Sequence, residues 1–396
     1  MTANNFTKCD EAKPVCGSCK KHDTVCVYDS PQSTPPAAGG SGHITPQPEQ
    51  QFEGPSVIPE ASVAGLKFQS LNINIEKLFD SSSETGNISE TKERRLLELR
   101  LLHNFLEHIS QPFKLSQTGE VVSAWSQDVP KLALHHENLL YAVMSISATN
   151  LLRNDPNDSI LLAARENYLV LALGAQRRAV DNLTDEAVDA ATFTSLLILI
   201  NSFAMLHERS HQPYVAPMPW LEMGKGAGSI IGFLLAANKS TYATRVDKVV
   251  RSVPYIWDDP TVPSEPNRTD FMGVLTQSLP SGDNWDDETR MAYEVTLSYI
   301  GSLNKSIKDG EPAFAICKRM ICFPMYIPLR FIDFVQEQRP RALVVLAHFF
   351  AVVAQVKMPL VWWIGDAPPR EIKGIQTVLP QEWQGQMMWP LAMAVT

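Results

Sequence analysis

The run Ala190-Ala191-Thr192-Phe193-Thr194-Ser195-Leu196-Leu197-Ile198-Leu199-Ile200-Asn201-Ser202-Phe203-Ala204-Met205-Leu206 carries no charged side chain. It is either a membrane span or the buried helix of a globular core. A span needs about 18 or more apolar residues with little polarity. This run sits at that limit and contains Asn201. A second uncharged run, Ala342 to Val356, contains His348 and Gln355. Both therefore read as core helices, and no membrane is expected.

The flanking sequence has the same helical texture. Leu97, Leu101, Phe105 and Ile109 recur at spacings of four, which places them on one face. Ser89 is a plausible N-cap for that helix, with Glu90 and Glu93 near its first turn, and Pro112 closes it. Trp125 falls on a short connection ending at Pro130. Helices follow over Glu137 to Leu152, Ser159 to Asn182, Glu186 to Leu206, Trp220 to Ala237, Glu288 to Ile307, Arg330 to Gln338 and Arg341 to Lys357. Residues 239 to 290 read as irregular and acidic, with Asp283-Asn284-Trp285-Asp286-Asp287-Glu288 placed to start the next helix. Strand alternation and hairpin signals are absent, so residues 89–396 form an all-α body.

Before that body the composition changes. Ser30 to Ser62 is rich in Pro, Gly, Ser and Gln, and reads as a disordered linker that extends to residue 88. Within it, Ala64 to Phe79 carries scattered Leu, Ile and Phe and reads as a short docking segment. The whole chain has 396 residues, 44% hydrophobic and 19% charged, with a net charge of −9. That charge gives no global pull toward nucleic acid. The N-terminus shows no leader pattern of basic residues followed by an apolar stretch, so a reducing compartment is expected.

The chain's chemistry is concentrated at residues 8–28, Lys8-Cys9-Asp10-Glu11-Ala12-Lys13-Pro14-Val15-Cys16-Gly17-Ser18-Cys19-Lys20-Lys21-His22-Asp23-Thr24-Val25-Cys26-Val27-Tyr28. Four of the six cysteines lie here, spaced C-x6-C-x2-C-x6-C. Zinc takes four ligands in a tetrahedron, and a Cys-x-x-Cys pair aims two thiolates at one metal. The competing readings are a disulfide pair and an unliganded tail. Over residues 1–26, Lys8, Lys13, Lys20 and Lys21 stand against Asp10, Glu11 and Asp23, a balance of only +1. Phosphate neutralisation demands a larger basic excess than that.

These residues resemble the second half of the fungal binuclear zinc-cluster DNA-binding domain. The resemblance matches Cys9, Cys16, Cys19 and Cys26 to the family's third to sixth cysteines, so the cluster reads as a partial one. The body resembles the regulatory region of sterol-uptake-control-like factors of that family. The residues carrying this are Val129-Pro130-x-Leu132-Ala133, Leu139-Leu140-x-Ala142-Val143, Pro219-Trp220-Leu221 and the run Arg339 to Phe349. Trp362-Trp363, Leu379-Pro380-x-x-Trp383 and Trp389-Pro390 complete the series. The resemblance implies a nuclear transcription regulator of RNA polymerase II genes, not an enzyme, with zinc as cofactor. It gives three regions: a partial cluster over 1–29, a linker over 30–88 and an all-α regulatory domain over 89–396. Its implied partners are DNA, a second copy or co-regulators, and a small-molecule effector. Lys8, Lys20 and Lys21 are left to touch phosphate, so weak or lost DNA binding is expected. The alternative is a ligand-sensing or interaction module without its own DNA contact.

Other constellations compete. His207-Glu208-Arg209-Ser210-His211 matches H-E-x-x-H, where two His on one helix face hold zinc and the Glu activates water. Against a protease stand Pro213, which stops the helix, and a third ligand no nearer than Glu222. Gly224-Lys225-Gly226-Ala227-Gly228-Ser229 hints at a phosphate loop, but lacks the preceding strand and the Gly-Lys-Ser/Thr order. Close helix packing is the better expectation for those glycines. His135-His136 reads as a loop or packing pair. Cys317 and Cys322 read as buried thiols.

Overall fold

The computed structural model describes residues 92–110, 119–182, 184, 187–237, 249, 263–277, 285–356 and 361–395. All of these belong to the second of the chain's two units, Pro55–Thr396. The described residues contain helices and turns but no strand.

The first helix, α1 (Lys92–Asn104), widens into a π-helical turn at Phe105–Ile109. Its spacing-of-four stripe points inward, with Leu101, Phe105 and Ile109 buried. Next comes a continuous helical run rather than a connection: α2 (Gly119–Ser123), a π-helical turn at Ala124–Asp128, and α3 (Val129–Ala133). Trp125 lies in that turn and packs edge-on to Phe193 at 5.3 Å between centroids. Pro130 does not end the element; it is the second residue of α3, directly after the π-helical turn.

Helices α4 (Glu137–Leu152) and α5 (Ser159–Asp181) form an antiparallel hairpin. Asp158 caps α5, its carboxylate accepting from the amides of Ile160 and Leu161 at 2.9 and 3.1 Å. Helix α6 (Val188–Ala204) contains most of the uncharged run, preceded by Asp189 in its first turn, and fourteen of its seventeen residues are buried. Its length and composition would let it cross a membrane, but its surface is covered by neighbouring helices. It ends in a single 3₁₀ turn, Met205–Glu208, and α7 (Met218–Ala237) follows.

Residues 263–277 contain helical turns where the sequence reads as irregular: α8 (Glu265–Arg268), a 3₁₀ turn at Thr269–Phe271, and α9 (Met272–Thr276). Helix α10 (Asp287–Lys308) starts where the acidic cluster predicts. Asp286 accepts from the Thr289 amide at 2.7 Å, which holds its carboxyl below the usual range. Then come α11 (Ala313–Tyr326), α12 (Leu329–Gln336), α13 (Pro340–Ala354), α14 (Ala367–Val378), a 3₁₀ turn at Gln381–Met387 and α15 (Met388–Met393).

One hydrophobic cluster runs from Phe105 to Met387 through both halves of the body. The residues that carry the family resemblance sit in it. Trp220 stacks on Phe323 and Phe349, Trp383 lies on the Arg341 guanidinium, and Trp389 stacks on His348. These motifs therefore mark the packing of the fold.

Candidate functional site

The H-E-x-x-H residues do not converge. The helix that would align the two histidines stops after Glu208, and Arg209 is extended at φ −69° and ψ 146°. The His207 ring turns back to the Ala204 carbonyl, and Glu208 pairs with Arg165. His211 Nε2 lies 3.2 Å from Glu371 on α14. Three side chains that a zinc site needs on one face thus point to three different partners. Among the described residues, no group of three or more His, Cys, Asp or Glu is placed to hold a metal.

The loop after α6 instead builds a clasp around Glu371, which is fully buried. Arg209 Nη1 donates to Oε1 at 2.9 Å, and Tyr214 Oη donates to Oε2 at 3.0 Å. Burial, with the Glu371 charge beside it, pushes the Tyr214 phenol well above its ordinary range. Arg370 donates to the carbonyls of His207 and Arg209. A buried carboxylate persists when it is paired and fully hydrogen-bonded, as here. The clasp ties the α6–α7 loop to α14.

The glycine run of α7 has a packing role. A Cβ on Gly224 would overlap Pro324, so only glycine lets α7 approach α11 at that point. Lys225 Nζ donates to the Met325 carbonyl near the C-terminus of α11 at 3.0 Å. Burial lowers its ammonium to about 8. That lysine is committed to a helix end, and no phosphate loop is formed. His135 and His136 fall in the tight turn between α3 and α4.

Two concave regions stand out among the described residues. A cleft of about 1240 Å³ crosses α5, from Arg94 and Leu97 on α1 to Trp220 and Met223 on α7. A smaller, almost wholly apolar cavity of about 100 Å³ lies among α6, α7 and α11. Leu196, Ile200, Ile321, Met325 and Trp362 form part of its wall, together with Cys317, Cys322 and Lys318. Burial pushes the Cys317 thiol up to about 12 and Cys322 to about 11. Neither is a thiolate near neutral pH, so neither is a ready metal ligand or nucleophile. Burial also lowers the Lys318 ammonium. Sequence reasoning finds neither concavity, because each is assembled from helices far apart in the chain.

The remaining four cysteines, Cys9, Cys16, Cys19 and Cys26, lie outside the described residues, as do Lys8, Lys20 and Lys21. The comparisons bear on that part of the chain. The fungal Zn(2)-Cys(6) binuclear cluster domain matches residues 7–35, and the fungal specific transcription factor domain matches residues 100–230. The chain carries the two domain matches of a fungal-type zinc-cluster transcription regulator.

Its similarity to named proteins extends over most of its length. The regulator is 28% identical over 87% of its chain to the Zn(2)-C6 fungal-type transcription factor afumD of Aspergillus fumigatus, covering 81% of that protein. It is 26% identical over 99% of its chain to a Zn(2)-C6 fungal-type transcription factor of Gibberella zeae, covering 84% of it. Sterol uptake control protein 2 of Saccharomyces cerevisiae is 21% identical over 78% of the chain, which spans 32% of that longer protein. Zinc is the cofactor of the cluster domain. The donor chemistry fits it: four cysteines at residues 9–26, apart from the two thiols sequestered in α11. Nothing in the comparisons or the geometry supports a metalloprotease.

Proposed function

We propose that the regulator holds zinc through the thiolates of Cys9, Cys16, Cys19 and Cys26 and acts in the nucleus on genes transcribed by RNA polymerase II. The observation that carries the reading is the match to a cluster domain over residues 7–35, ahead of one to a regulatory domain over residues 100–230. Four thiolates complete one tetrahedral zinc, and a cluster this small needs the metal to hold its shape. Lys8, Lys20 and Lys21 supply phosphate contacts, which position a protein on DNA without reading bases. With a balance of only +1 over residues 1–26, binding through these residues is weak and salt-sensitive. The regulator is divided into a cluster over 1–29, a tether over 30–88 and a helical regulatory domain over 89–396, and it catalyses no reaction.

The apolar cavity favours a second reading of the helical half, as a module that senses a small apolar effector and pairs with a second copy or with co-regulators. Two relatives named for sterol uptake control make a lipid-like effector the first class to test. At about 100 Å³ the cavity is smaller than the roughly 300–1,000 Å³ of ordinary ligand sites, so a large effector requires its walls to part.

Metal analysis of the full chain tests the main reading. One zinc per chain is expected, lost in Cys16→Ser and retained in His207→Ala. Two tightly held zincs would overturn the four-thiolate count. Zinc lost only in His207→Ala would overturn the assignment of ligands. On a DNA shift assay, low-nanomolar sequence-selective binding at physiological salt would overturn the weak-contact reading.

A further inference from the structure

Helix α11 carries a cation in the middle of the face it turns to the small apolar cavity. Phe314, Lys318, Ile321 and Met325 all line that space and fall within about 60° of one another at 100° per residue. The helix's other cation, Arg319, turns away to Ser302 and Glu311. Helix α6 contributes only aliphatic side chains to the wall. Lys318 Nζ reaches the Val249 carbonyl at 3.5 Å, the long limit of a hydrogen bond, and Val249 lines the same space. The ammonium therefore lies beside the cavity.

We propose that this cavity takes a short-chain carboxylic acid, bound as its anion, with the carboxylate on Lys318 Nζ and the hydrocarbon tail among the apolar walls. The inference rests on the reading of the helical half as an effector-sensing module, and it narrows that effector to a small monoanion. Removing an ammonium from water is costly, and a carboxylate beside it offsets the cost. Burial lowers the Lys318 ammonium, whereas an opposite charge within hydrogen-bond reach favours the protonated form. An ammonium has three N–H donors, so it can hold the Val249 carbonyl and a ligand oxygen together. A neutral amide of the same shape matches the walls but offers the ammonium no charge.

Size sets the tail. A dry apolar cavity of about 150 Å³ holds benzene, so one of about 100 Å³ suits an apolar body of roughly four carbons. The chain's net charge is −9, so no general attraction gathers anions on it, and selectivity for one has to be local.

Titration of the full 396-residue chain with butanoate and with its neutral isostere butanamide tests this, read from the methyl shifts of Ile321 and Met325. Butanoate is expected to bind at least tenfold more tightly. Lys318→Met should erase that preference. Ile321→Trp fills the cavity and keeps the lysine, and should abolish butanoate binding at Met325. Xenon under pressure probes the space without charge, and it should shift the same methyls in the unmodified chain and in Lys318→Met. The comparison of the two probes on the unmodified chain stands even where Lys318→Met fails to fold. Xenon that enters while butanoate binds no more tightly than butanamide would overturn the carboxylate assignment and leave the effector reading standing. A preference that survives Lys318→Met, or butanoate binding that survives Ile321→Trp, would put the acid elsewhere and sink the proposal. Exclusion of xenon and of both probes would overturn the effector reading, and the proposal with it.

Discussion

The two faces of α6 are held by different chemistry. Toward α4 and α5 the contacts are polar and paired. Thr149 Oγ1 donates to Asn201 Oδ1 at 2.6 Å, Asn201 Nδ2 donates to Ser145 Oγ at 3.0 Å, and Ser145 Oγ donates to the Arg165 carbonyl at 3.1 Å. A turn or two away, Asn138 donates to Gln176 at 2.8 Å, and Gln176 to Ser195 at 3.0 Å. Toward α7 and α13 the contacts are aromatic. Phe203 meets Trp220 and Trp363 edge-on at 5.3 Å, and Trp220 stacks against Phe349, which stacks on Phe323 at 3.8 Å. Aromatic rings bury large apolar areas and favour edge-on and offset-stacked contacts such as these. Buried hydrogen bonds add only about 1 kcal/mol each but fail when a helix slips, so they fix its register.

Substitutions at two positions probe the aromatic side. Phe349→Ala removes a ring from the centre of the stack and is expected to cost about 4 kcal/mol, at the usual scale for Phe to Ala in a core. Denaturant unfolding should show it as a lower midpoint with an unchanged slope, and Phe349→Leu should recover most of the loss. A cost below about 1 kcal/mol would mean that the stack is not what holds α7 to α13. His348 gives the next effect. Its ring lies between Phe271 and Trp389, and Nδ1 donates to the Val344 carbonyl at 2.8 Å. Burial lowers its pKa from 6.5 to about 4. The folded state therefore favours the neutral ring. Its contribution is intact above pH 6.5 and is lost as pH falls toward 4, by roughly 3 kcal/mol at most. His348→Phe should flatten the stability profile between those pH values relative to the unmodified chain, and equal slopes would contradict the buried neutral ring.

The same contrast governs what could be read from the sequence. Apolar periodicity is local, so α4, α5, α7, α10 and α13 lie within a few residues of their expected bounds. Helix α11 escaped because Arg319 and Pro324 interrupt its pattern, and the structure accommodates both. Arg319 is buried against Ser302 and Glu311, while Pro324 sits against Gly224. Helices α14 and α15 are short and rich in Pro and Trp, so propensity does not mark them. The cluster domain is legible because its cysteines are neighbours in sequence. The Glu371 clasp was not, since its partners at Arg209, His211 and Tyr214 come from a loop far from α14. H-E-x-x-H misleads for the converse reason: its letters are adjacent, but the helix that would align them ends at Glu208.

The polar side is tested most sharply by Asn201→Leu, which keeps the volume and deletes both amide contacts. An orphaned buried group costs about 1–3 kcal/mol, but here each former partner keeps a second bond. Ser145 Oγ still donates to the Arg165 carbonyl, and the Thr149 hydroxyl still reaches the Ser145 carbonyl at 3.1 Å. The expected loss is therefore near the low end, about 1.5 kcal/mol. Adding Thr149→Val removes the other half of the 2.6 Å pair and should cost less in the Asn201→Leu background than alone, with a coupling of about 1 kcal/mol. Strict additivity would show that the pair is incidental, leaving the register of α4 on α6 to apolar packing. Coupling would show that this face of α6 needs its hydrogen-bond partners matched rather than merely filled.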